Sequence, residues 1–147
     1  MGERAQHGAC VDAWLEKRAA NLSSAALLTL FDSANQALWV RSKTTLGEVT
    51  LTAIADRVRS VATERHPFLA GLTIDQVDGI RAGALAAQAE AMPPDELVLP
   101  LRFVLVELLT VLGNLTAEIL TPGLHAALER VTLPPTTRPE KGRKRRP

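Results

Sequence analysis

Few side chains in this sequence have the type and spacing to do chemistry. Glu107, Asn114 and Glu118 stand at i, i+7 and i+11 in an otherwise apolar stretch. At 100° per residue a helix places all three within about 20° of one direction. Carboxylates on a buried helix can bind a metal or serve as general acid and base. Di-metal bundles also use a Glu-x-x-His pair, which this chain lacks. The simpler expectation is that the stripe is the solvent-facing edge of its helix, where charge is cheapest to keep. Arg102 falls roughly opposite Glu107 and needs a partner of its own, so it joins these three as a ligand or interface candidate.

His66, in Glu64-Arg65-His66-Pro67, is the other candidate, for a phosphorelay or enzyme element. A phosphoacceptor histidine has a following acid and a mid-helix position. Here the acid precedes the histidine and the position reads as a helix end, where the helix dipole alone accounts for it. There is no Gly-rich phosphate loop, no Gly-x-Ser-x-Gly and no His-Glu-x-x-His. A zinc site would have to gather His7, His66 or His125 from distant segments with one cysteine available, so no metal and no cofactor is expected.

Charge is segregated along the chain. The segment Arg138–Pro147 carries Arg138, Lys141, Arg143, Lys144, Arg145 and Arg146 against Glu140 alone, a net +5. Of the chain's 17 basic and 16 acidic residues this leaves 11 and 15 in the rest, a net −4. Pro134, Pro135, Pro139 and Pro147 punctuate the arm, and it has no apolar residue after Leu133 other than proline. Such a segment cannot bury enough surface to offset its ordering entropy, so 134–147 reads as a disordered tail. It could contact nucleic acid or another polyanion without sequence specificity, since no aromatic side chain offers a base a stacking surface. It could equally be a solubilising extension.

These residues need elements to position them. At 147 residues with 46% hydrophobic and 3% aromatic content, the chain suits one domain, residues 1–133, packed by aliphatic contacts. Cys10 is the only cysteine, which excludes an intrachain disulfide and fits a reduced, cytoplasmic setting. The apolar run near 97–120 carries Arg102, Glu107 and Glu118, too much charge for a membrane span.

The expected elements follow from periodicity and punctuation. Residues 10–20 could form a short helix around Trp14. A second is capped by Ser23 or Ser24, runs through Leu27, Leu28, Phe31, Ala34, Leu38 and Val40, and ends near Ser42. A third starts at a Thr45/Glu48 capping box, buries Leu51, Ile54, Ala55, Val58, Val61 and Ala62, and stops at Pro67. Residues 72–80 stay open between helix and a small hairpin turning at Asp78-Gly79, with helix favoured for 82–91. After Met92-Pro93-Pro94, with Asp95 as cap, the long apolar helix is expected over about 96–120, and Thr121-Pro122 opens a last one carrying Leu124, Leu128 and Val131.

The expectation is thus an all-α bundle of four to five main helices around a central apolar helix. That helix is apolar on nearly all sides, where a surface helix has one apolar stripe. It must be covered by the chain or by a partner. The leading functional expectation is therefore a non-enzymatic, regulatory interaction module that forms a homodimer or binds a protein partner through that helix.

Overall fold

The computed structural model describes residues 2–133, and these are mostly helical. Helix α1 (Gly2–Arg18) is followed by α2 (Ser24–Leu46) and α3 (Glu48–Arg65). A hairpin of β1 (Thr73–Asp75) and β2 (Gly79–Arg81) leads into a short α4 (Ala86–Glu90). Helix α5 (Pro94–Leu115) and α6 (Thr121–Glu129) complete the chain. Helices α1, α2, α3 and α6 all pack on α5, so the chain itself covers most of the apolar helix. Leu97, Leu101, Val104, Leu105, Leu108, Leu109 and Leu112 are buried there. No helix of the described residues is long and apolar enough to cross a membrane.

Local chemistry explains most boundaries. The Ser23 hydroxyl accepts from the Ala26 amide and starts α2. Helix α2 continues four residues beyond the expected stop at Ser42, and Thr45 lies within it. The Thr45/Glu48 capping box therefore does not form. Gly47, with φ of 83°, makes the break between α2 and α3, and its amide donates to the Lys43 carbonyl. Helix α3 ends where Pro67 requires, with an extended His66.

Helix α1 spans Gly2–Arg18 where a shorter helix over 10–20 is expected, because burial of Val11 and Trp14 against the core supports a segment of modest intrinsic pattern. Within α2, Val40 faces solvent, and Trp39 takes the inward place beside Leu38.

The hairpin near 72–80 is present, with Ile74 opposite Ile80. The Asp75 carboxylate accepts from the amides of Val77 and Asp78 and closes the turn. Those two bonds hold the carboxyl below its ordinary range. Gly79, at φ of 88°, lets the turn lie against the Trp39 indole, where a Cβ would come within 2.9 Å. The indole N–H donates to the Gln76 carbonyl. Asp32 of α2 anchors the far strand by accepting from the Ala82 amide at 2.7 Å. Burial pushes the Asp32 carboxyl up against that hydrogen bond and the nearby Arg81. The segment expected as helix over 82–91 is a 3₁₀ turn (Gly83–Leu85) running into α4, since Gly83 disfavours continuous helix.

Helix α5 starts with Pro94 as its first residue, so Asp95 lies in the first turn and is not the cap. It ends at Leu115, five residues before the expected end. Thr116 to Leu120 instead form a turn, in which Ala117 and Glu118 adopt left-handed φ values of 52° and 64°. Because α6 begins at Thr121, with Leu120 before it, the Thr121 hydroxyl does not cap α6 and bonds the Glu118 carboxylate.

Candidate functional site

Three clusters border α5. The first lies at its C-terminal end. Glu118 leaves the helical stripe altogether, because the left-handed turn swings it back towards the helix. Its amide donates to the Gly113 carbonyl at 2.6 Å. Its carboxylate lies over Gly113, where a Cβ would come within 2.6 Å of Oε1. Two consecutive non-glycine residues in the left-handed region cost roughly 1–2 kcal/mol each, so the turn must be held by its contacts. Those contacts are Thr121, whose hydroxyl donates to Glu118 Oε1, and His7, whose Nε2 stands 3.4 Å from the same oxygen.

His7 projects from the first half of α1 and is wholly buried. It shares the inward face of α1 with Val11 and Trp14. Its Nδ1 lies 2.9 Å from Nε2 of His125 on α6, with the two rings nearly perpendicular. Burial is the main force that lowers the proton affinity of His125, followed by the neighbouring His7; Glu129 and Glu118 act against both. Cys10 follows His7 by three residues, and burial, reinforced by Glu129, pushes its thiol up, away from the reactive thiolate form. Among the described residues no group of three or more His, Cys, Asp and Glu could hold a metal ion. What the arrangement can do is hold a proton between two imidazoles beside a carboxylate.

The second cluster centres on Phe103, in the middle of α5. The guanidinium of Arg4 sits 5.6 Å from its ring centroid and that of Arg65 5.4 Å. The His66 ring meets Phe103 edge-on at 5.8 Å. Arg4 also pairs with Glu107 at 2.7 Å. His66 caps α3 at the helix end expected for it, and its proton affinity is lowered first by burial and then by Arg65. Arg102 finds its partner in Asp12 of α1, through a two-point contact at 2.6 and 3.1 Å.

The third is a groove between α3 and α5 of about 420 Å³. Thr50, Ala53, Ile54, Arg57, Val111, Asn114 and Leu115 line it. Asn114 is exposed there. The structure thus sends the three stripe residues to three places: Glu107 to Arg4, Asn114 to the groove, Glu118 to the histidine pair. The six basic tail residues named above lie outside the described residues.

Spacing in the sequence does not reveal the histidine pair, because 118 positions separate its members. A weaker signal exists. His7, Val11 and Trp14 fall on one helical face, and His125 sits beside Leu124 in the inward stripe of α6.

Protein-family models, curated proteins and solved structures were all compared with this chain, and none matches.

Proposed function

We propose that the protein is a non-enzymatic helical interaction module that pairs with a second copy of itself across the face shared by α3 and α5. One observation carries this reading: exposed apolar side chains stand beside an apolar recess. Leu115, 59% exposed, lines the groove, and Val49, 84% exposed, directly precedes the lining residue Thr50 on α3. Exposed apolar patches of this kind mark interaction surfaces. A surface with both a projection and a recess can be self-complementary about a twofold axis, each copy seating its Leu115 in the groove of the other. Asn114 in the groove can hydrogen-bond across the axis and fix the register, as a lone asparagine does in an apolar helical seam.

The test is the light-scattering mass of the full chain across a concentration series. The expected result is a dimer that Leu115→Asp or Val49→Asp converts to a monomer with an unchanged circular dichroism spectrum. A wild-type chain that stays monomeric at the highest attainable concentration overturns the proposal.

A further inference from the structure

Of the described titratable side chains, His7 is the one that is wholly buried. Its contact with His125 requires a proton between Nδ1 and Nε2. If neutral His7 supplies that proton, its Nε2 has no hydrogen and turns a lone pair towards Glu118. If His125 supplies it, His7 carries its hydrogen on Nε2, facing the Glu118 carboxylate. If His7 is doubly protonated, it serves both neighbours at once. Each arrangement holds at most one extra proton. A second places two cations on rings 5.0 Å apart, with no hydrogen-bond acceptor left between them.

We infer that the His7–His125 pair is a proton-operated latch: with at most one extra proton it holds the first half of α1 over the Phe103–Val106 face of α5, and a second proton lets that half lift. The charges around it are few. Glu118 faces His7 from the turn after α5. Glu129 acts on His125 from α6 itself, and Arg18 of α1 donates to the Glu129 carbonyl. From α2, Arg41 rests its guanidinium against Gly123 in the first turn of α6. From α5, Glu107 is engaged by Arg4. Glu129 and Glu118 offset the repulsion only in part, since the proton affinity of His125 is still lowered beside His7.

The rest of α1 is held differently. Val11 and Trp14 are buried, and the Trp14 indole N–H donates to the Val131 carbonyl. The first half has His7 and Arg4, which pairs with Glu107 and lies over the Phe103 ring. Beneath it lie Phe103 and the buried Val106. Lifting therefore uncovers a second apolar surface on α5, away from the α3 groove.

The sign follows from linkage. Opening removes the burial and the neighbouring His7 that lower the proton affinity of His125, so its protonation point lies higher in the open form than in the closed form. Between those two points the open form binds more protons, so the open fraction rises as pH falls. One proton gives at most about a tenfold change per pH unit.

Amide hydrogen exchange on the full chain, with protection corrected for the intrinsic effect of pH, tests this. From pH 7 to 5.5 the protection of residues 4–10 should fall about fivefold or more, while that of α3 holds. His125→Gln should abolish the difference. Equal loss in every helix, or an unchanged slope in His125→Gln, overturns the latch. Histidine proton NMR on the wild-type chain supplies a check that needs no variant. The His125 resonances should titrate in step with the α1 amides, with His66 independent of them. Uptake of both protons with α1 protection unchanged overturns the latch as well.

Discussion

The two sides of α5 are finished in different ways. Towards α1 its surface is closed by polar fasteners: Arg102 to Asp12, Arg4 to Glu107, and His7 to His125 and Glu118. Towards α3 it closes with Arg65 and His66 on Phe103 and with aliphatic contacts, and then stops short, leaving the groove at Val111, Asn114 and Leu115. Polar fasteners depend on salt and protons, and apolar contacts depend on area. The comparison teaches that one helix can be fastened by polar contacts on one side and left bordering an open groove on the other.

Four variants would break or sharpen this contrast. The largest effect belongs to the interior common to both sides. Leu109 is wholly buried, and Leu109→Ala should cost about 2–5 kcal/mol in urea unfolding. A loss below about 1 kcal/mol would mean that α5 is not the packed centre. Next comes the end of the helix. Gly113→Ala puts a methyl group where the Glu118 carboxylate lies. The gain in helix propensity of about 1 kcal/mol offsets the lost contacts, so stability should change little. Glu118 is displaced from His7, and the pH dependence of α1 protection should change; an unaltered pH profile would separate Glu118 from the latch.

On the α1 side, Arg102→Ala removes a partly exposed ion pair. The loss should be under about 1 kcal/mol and should shrink further at high salt. An effect that is large and insensitive to salt would show that the pair is energetically buried. A small effect on monomer stability is also expected on the α3 side. Leu115→Ser should change the unfolding free energy of a dilute sample by no more than about 0.5 kcal/mol, yet weaken self-association at high concentration. A large loss in the dilute monomer would mean that Leu115 serves the chain's own core.

Much of the fold is legible in the sequence, for identifiable reasons. The apolar spacing of Leu51, Ile54, Ala55, Val58 and Ala62 reports the buried face of α3. Ser23 and Pro67 mark real boundaries because their effects are local to the backbone. The end of α5 is not legible. Nothing in Thr116-Ala117-Glu118 forbids helix, and the residues there turn left-handed because Glu118 gains contacts to Gly113, Thr121 and His7. Helical periodicity thus groups Glu107, Asn114 and Glu118 on one stripe that the folded chain disperses. The same limit hides the histidine pair, and the His7–Cys10 spacing, which resembles no complete ligand motif, gives no warning of it.

The sequence by itself determined that this chain builds helices around an apolar α5 and that its net positive charge sits in the last ten residues. Those features follow from side-chain type and from interactions within a turn or two of helix. Only the tertiary structure decided which groups meet: His7 with His125, Arg102 with Asp12, Trp39 with the Gly79 turn. The physical reason is that a buried polar group must find a partner wherever the chain brings one. That partner is selected by packing across the whole domain, and spacing along the chain carries no record of it.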